Sequence, residues 1–114
     1  MIVPKLQSIF SVDLQDPGLP ADPSNCSILL EVEIGSDGSG ADTFSFTVIT
    51  PAAFARAELP RWGRGHLVVA EFDWAVVRRS IERLLAHAAR ETWDQVAAEL
   101  NKELGWEFEG YTAG

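Results

Sequence analysis

Apolar and polar residues alternate in two segments of the N-terminal half, with the period expected for half-buried strands. The apolar series are Ile28, Leu30, Val32 and Ile34 in the first segment, and Phe44, Phe46 and Val48 in the second. Between the two segments, residues 35–40 are rich in glycine, serine and aspartate, which favour turns. The pattern predicts an antiparallel hairpin with a mobile loop.

Three further strands are predicted on either side of this hairpin. They are indicated by Leu6, Ile9 and Phe10, by residues 66–72, and by the closing stretch 106–111. In the closing stretch, Glu107 and Glu109 alternate with aromatic rings, so both carboxylates are expected on one face of a strand and the rings on the other. Residues 13–25 contain three prolines and predict a loop after the first strand.

Capping residues and helical spacing predict three helices. Thr50 and Pro51 begin a short helix that is expected to run through Ala57 until Pro60 ends it. Asp73 caps a second helix, whose apolar residues are Trp74, Val77, Ile81, Leu84, Leu85 and Ala88. Thr92 and Gln95 fit a capping box for a third helix, which we expect to end at Gly105. The order of elements predicts an α+β fold, with a mainly antiparallel sheet of about four to five strands and two principal helices on one face. The strand order stays open.

Length and composition indicate one globular domain over residues 1–114. The chain is 46% hydrophobic and 23% charged, which is enough apolar material for a single core. Its net charge is −8, and the acidity is uneven: residues 1–55 hold seven acids and one base, whereas residues 56–104 hold eight of each. Such a surface repels nucleic acid and anionic lipid and attracts a basic partner. Acidity that serves only solubility is the alternative.

The cysteine and histidine content argues against disulfides and metal sites. One cysteine, Cys26, cannot form an internal disulfide, and no Cys/His spacing indicates zinc. The N-terminus lacks the basic region and apolar run of a signal peptide, and no run is long enough to span a membrane. We therefore predict a cytoplasmic protein with no cofactor.

Catalysis has little support in the sequence. Glu107 and Glu109 share a spacing that acid/base chemistry could use, and His66 could serve as a base. The nucleophiles to consider are Ser45, Ser80 and Cys26. None of them is accompanied by a recognisable oxyanion loop or orienting partner, and His87 near a helix C-terminus has an adequate structural explanation. We predict that the protein is not an enzyme.

Several segments together resemble a known family. They are residues 43–51 (TFSFTVITP), 63–69 (GRGHLVV), 91–96 (ETWDQV) and the closing WEFEGY. In this order and spacing, over nearly the whole chain, they resemble the immunity protein 8 family of bacterial polymorphic-toxin systems. The resemblance implies a non-enzymatic inhibitor that is kept in the cytoplasm and binds a cognate toxin domain, encoded by a gene directly upstream.

A basic, nuclease-like toxin would complement the acidic half of this chain. We therefore name partner-binding candidates among its acidic residues and one exposed aromatic. The set is Glu31, Glu33, Asp37, Asp42, Trp62, Glu107 and Glu109. Trp62 would be the aromatic anchor, although it could equally fold back over the core. The glutamates could instead be the solvated outer face of an antiparallel sheet.

Two other functions stay open. The chain could be a small-molecule-binding or adaptor module of the bacterial cytosol that uses the sheet or the space beneath the helices. Its second helix, with Arg78, Arg79 and Arg83, could also pack against a second copy to form a homodimer.

Overall fold

The computed structural model describes residues 1–14, 18–37, 40–57, 59 and 65–107. In this part of the chain, five strands and three helices follow one another. In order they are β1 (Lys5–Phe10), β2 (Ser27–Gly35), β3 (Ala41–Ile49), α1 (Pro51–Ala55), β4 (His66–Val68), α2 (Trp74–Ala86), α3 (Trp93–Leu100) and β5 (Gly105–Trp106). All the strands belong to one mostly antiparallel sheet, so the predicted α+β class is confirmed.

Strand β3 is the centre of the sheet. Along one edge it pairs with β2 over its whole length, from Ser27 opposite Ile49 to Gly35 opposite Ala41, which confirms the predicted hairpin. Two short strands share its other edge. β4 lies parallel to residues 47–49, and β5 lies antiparallel to residues 44–45. Strand β1 completes the sheet on the far side of β2.

Alternation along β2 and β3 divides the sheet into two different faces. The apolar series predicted from the sequence all points to one side, where the side chains of Leu30, Val32, Phe44 and Val48 are fully buried. Helices α2 and α3 contribute Val77, Ile81, Leu85, Val96, Ala97 and Leu100 to the same core. Both principal helices therefore cover the inner face, as predicted.

Several predicted boundaries are wrong. The strand expected over residues 66–72 ends at Val68, because its partner β3 ends at Ile49 and the chain turns there into α1. Helix α1 ends at Ala55, and Pro60 lies outside the described residues. Helix α3 ends at Leu100 and not at Gly105: after the C-cap Asn101, the backbone N–H groups of Lys102 and Glu103 reach back only three residues, which tightens the last turn.

The closing strand is described only at its start. Gly105 and Trp106 pair with β3, and the backbone N–H of Glu107 continues the ladder by donating to the Thr43 carbonyl at 3.1 Å. The Trp106 ring is stacked on Phe44, with ring centroids 6.4 Å apart, and therefore belongs to the core side. The remainder of the predicted strand, from Phe108 onward, lies outside the described residues.

A single buried hydroxyl joins the start of β2 to the start of α1. Thr50 is the N-cap of α1, and its Oγ1 accepts hydrogen bonds from the backbone N–H groups of Cys26 (3.0 Å) and Ala53 (3.4 Å). The same hydroxyl donates to the Cys26 carbonyl at 3.4 Å. Since Thr50 is fully buried, no water can replace these bonds if the hydroxyl is removed.

We predict that Thr50→Val destabilises the fold by about 2 to 3 kcal/mol. The change keeps the shape of the side chain but leaves the Cys26 N–H buried without an acceptor and removes the helix cap. Thr50→Ser keeps the hydroxyl and loses one methyl group, so about 1 kcal/mol is expected. Urea unfolding measures both values. Equal stability of the two variants would show that the hydroxyl is not what matters.

Candidate partner-binding face

The side of the sheet that faces away from α2 and α3, here called the outer face, is polar and open. Its middle column is formed by Thr43, Ser45 and Thr47 of β3, all half-buried. Gly105 of β5 lies opposite Ser45, and a Cβ atom at Gly105 would come within 3.2 Å of the Ser45 Oγ. The middle of the face is therefore shallow and lined by small residues.

Three glutamates flank this column, and we call them the outer carboxylates: Glu31, Glu33 and Glu107. On the β2 side, Glu31 lies opposite Ser45 and Glu33 lies opposite Thr43. On the other side, Glu107 is bonded to the same Thr43. Glu33 and Glu107 thus lie in one row across β3, with backbones about 10 Å apart because two strand spacings separate them. The sequence could not decide whether these strands are close, and the structure brings them together.

Two of the outer carboxylates are held by hydrogen bonds from different donors. The Ser8 hydroxyl donates to Glu33 Oε1 at 3.1 Å, and the backbone N–H of Thr43 donates to Glu107 Oε1 at 2.8 Å. Glu107 therefore also holds β5 against β3. The sequence pattern does not reveal this structural role. Within the described part of the chain, no lysine or arginine forms an ion pair with any of the three.

Asp42 differs from the outer carboxylates because it points to the inner face. It follows the phase of Phe44 and Phe46, and its Oδ2 accepts hydrogen bonds from two indole N–H groups, Trp93 at 2.7 Å and Trp106 at 3.0 Å. One carboxylate thus connects the start of β3, the first turn of α3 and strand β5. The structure separates Asp42 from Glu31, Glu33 and Glu107.

The other predicted partner-binding residues are at the rim or outside the described chain. Asp37, at the hairpin end, is 82% exposed and forms an ion pair with Lys5 in which Nζ lies 2.9 Å from each carboxylate oxygen. Trp62 and Glu109 lie outside the described residues. The structure therefore offers no position for the predicted aromatic anchor.

Two apolar side chains on the outer face are not among the partner-binding residues predicted from the sequence. Phe10 of β1 lies directly opposite Glu31, and Leu29 precedes Glu31 by two residues on β2. Both are exposed, Phe10 to 38% and Leu29 to 42%. The sequence does hold a signal for Leu29, since it is an apolar residue in the polar phase of an alternating strand.

Ser80, His66 and Cys26, which the sequence analysis considered for catalysis, lie in three different surroundings. Ser80 donates its hydroxyl to the Val76 carbonyl within α2, and the His66 ring makes an edge contact with Phe54, with centroids 6.1 Å apart. Burial, followed by the nearby charge of Asp22, raises the pKa of the Cys26 thiol, which disfavours the thiolate that a nucleophile requires. In the described ranges, no group of three or more His, Cys, Asp or Glu side chains could hold a metal ion.

A pocket of about 220 Å³ opens beneath α2, between β4 and the turn that precedes β5. Its walls include Phe46, His66, Leu84, Glu103 and Leu104. It is smaller than the roughly 300 to 1,000 Å³ that ligand sites usually occupy.

None of the helices in the described part of the chain is long and apolar enough to cross a membrane.

We predict that Asp42→Ala destabilises the protein by about 2 to 4 kcal/mol, because two partly buried indole N–H groups lose a charged acceptor. Asp42→Asn keeps an amide oxygen as acceptor and should lose less. Asp37→Ala is the matched control, since it removes an aspartate that forms only an exposed ion pair. Urea unfolding followed by tryptophan fluorescence compares the three. If Asp42→Ala unfolds like Asp37→Ala, the double indole bond does not stabilise the fold.

Comparison with known proteins identifies the family of this chain. Searches of curated proteins and of solved structures return no significant match. The family described as Immunity protein 8, in contrast, matches residues 6–111, which is nearly the whole length. The matched range includes the hairpin, both principal helices and the outer carboxylates. The chain therefore belongs to the immunity protein 8 family.

Proposed function

We propose that this protein neutralises the cognate toxin of a bacterial polymorphic-toxin system by binding it in the cytoplasm. Membership of the immunity protein 8 family supports this function. The proposed mechanism is association alone, without catalysis. The toxin domain would be held in an inactive complex for as long as the immunity protein covers it.

The outer face is the docking surface that we propose for the toxin. The observation that carries this proposal is the row of carboxylates, Glu33 and Glu107 on either side of Thr43 with Glu31 beside them, none of them neutralised by a described cation. A basic surface would complement this face. Nuclease-type toxins carry such a surface because they bind phosphates, so a nuclease-like toxin is the partner we favour.

Coexpression in bacteria tests the function. The chain is produced together with the C-terminal domain of the toxin gene directly upstream of its own gene, and growth and copurification are measured. We expect growth to be rescued and the two chains to copurify. Continued toxicity beside a folded, unbound protein would contradict the proposal and would favour a ligand-binding role for the pocket beneath α2.

We predict that removing charge from the outer face slows association with the toxin. Glu33→Gln and Glu107→Gln keep the oxygens that accept from Ser8 and Thr43, so the fold should be preserved while two charges are lost. The association rate of the double variant should fall by about tenfold at low salt, and its dependence on ionic strength should become weaker.

Glu82→Lys is the control for net charge. It changes the charge by the same two units, but Glu82 lies on α2, in the layer on the other side of the sheet, and is 3.9 Å from Arg78. Stopped-flow or interferometry kinetics at several salt concentrations separates the two variants. If Glu82→Lys slows association as much as the double glutamine variant, the effect comes from overall charge and the outer face is not the docking surface.

A further inference from the structure

Phe10, Leu29 and Glu31 form a compact triangle on the outer face. Phe10 and Glu31 are directly opposite each other across β1 and β2, which places their Cβ atoms about 5 Å apart. Leu29 and Glu31 are neighbours on the same side of β2, about 7 Å apart along the strand. Two apolar side chains thus flank one carboxylate at the β1 side of the face.

The core does not account for these two exposed side chains. The inward positions of β1 are filled by Leu6 and Ile9, which pack against the buried cluster, and the inward neighbours of Leu29 are Ile28 and Leu30. Phe10 and Leu29 point the other way and leave apolar surface in water. Each Å² of such surface would gain about 25 cal/mol if a partner covered it.

Glu31 indicates what such a partner must carry. It is half-buried beside Phe10, and in the described part of the chain it has no ion pair. A carboxylate in this position would be desolvated further when a partner covers Phe10 and Leu29, at a cost that only a cation or a hydrogen-bond donor can offset. The three residues therefore favour an apolar partner group that has a lysine or arginine beside it.

We propose that Phe10 and Leu29 are the apolar anchor of the docking surface, and that the toxin inserts an apolar side chain next to a lysine or arginine that pairs with Glu31. This inference rests on the proposed function. It assigns different tasks to different residues: Glu33 and Glu107 accelerate the encounter, whereas Phe10 and Leu29 determine how long the complex lasts.

The test uses variants that keep a residue suited to strands. In Phe10→Thr and Leu29→Thr, the apolar surface is reduced and the charge of the face is unchanged. The matched control is Val3→Thr, because Val3 is also an exposed apolar residue, 53% exposed, but lies beside Glu82 and Ala86 of α2, on the other side of the sheet. Leu29→Lys is a second variant: its aliphatic stem can cover the same surface while its charge repels a basic partner.

Binding of each full-length variant to a catalytically inactive form of the neighbouring toxin domain is measured by interferometry. We expect Phe10→Thr and Leu29→Thr to dissociate about tenfold faster than the wild type, with nearly unchanged association rate and salt dependence. Leu29→Lys should dissociate faster still, and Val3→Thr should behave as the wild type. Urea unfolding verifies that each variant is folded.

Failure of the anchor can be told apart from failure of the function. If the wild type binds the toxin and both threonine variants dissociate at the wild-type rate, the anchor is overturned and the proposed function stands. If the wild type does not bind, both fall. If light scattering shows a wild-type dimer that Phe10→Thr or Leu29→Thr converts to monomers, the patch belongs to a second copy of this chain, and the anchor is again overturned.

Discussion

The hydrogen bonds from two indoles to one carboxylate oxygen of Asp42 determine the relation between the two layers of this fold. Trp93 brings the first turn of α3 to the start of β3, and Trp106 brings β5 to the same place. Because strand side chains alternate, an inward Trp106 requires Gly105 and Glu107 to lie on the outer side. The position of an outer carboxylate is thus a consequence of a bond made on the inner face.

Strand β3 extends this coupling across the sheet. Its inward residues contribute to the core, its outward residues form the floor of the proposed docking surface, and its second edge is divided between β4 and β5. Glu107 closes that edge by accepting the Thr43 N–H while its charge remains exposed. Glu107 therefore has a structural role in addition to the binding role proposed for it. Glu107→Gln removes the charge but keeps the oxygen that accepts from Thr43, so this variant tests binding without removing that hydrogen bond.

The sequence predicted what depends on periodicity and on caps. The β2–β3 hairpin, the N-caps Thr50, Asp73 and Thr92, and the inward face of α2 all follow from local pattern, and the structure confirms them. The errors arise where a segment distant in sequence determines the length of an element. β4 is short because β3 ends beside it, which no local signal in residues 66–72 reveals.

The candidate site was predictable only in part for the same reason. Alternation correctly groups Glu31 with Glu33, but the row with Glu107 requires knowledge that β5 pairs with β3. In the sequence, Asp42 looks like any exposed aspartate. Only its hydrogen bonds with two tryptophans, which follow it by 51 and 64 residues, distinguish it from the surface acids. Long-range hydrogen bonds of this kind leave no trace in the local pattern.

Separating charge from apolar contact on one face has a kinetic advantage for an inhibitor. Long-range attraction acts before contact and is weakened by salt, whereas burial of apolar surface acts only after contact and is largely insensitive to salt. In the proposed complex, Glu33 and Glu107 would therefore speed up capture without lengthening the life of the complex. Phe10 and Leu29, at the β1 side, would lengthen the life of that complex without speeding up capture. Substitutions among the carboxylates would then change the rate of capture with little effect on dissociation, and substitutions at Phe10 or Leu29 would do the reverse. The rate of capture and the specificity for one toxin could therefore be adjusted separately.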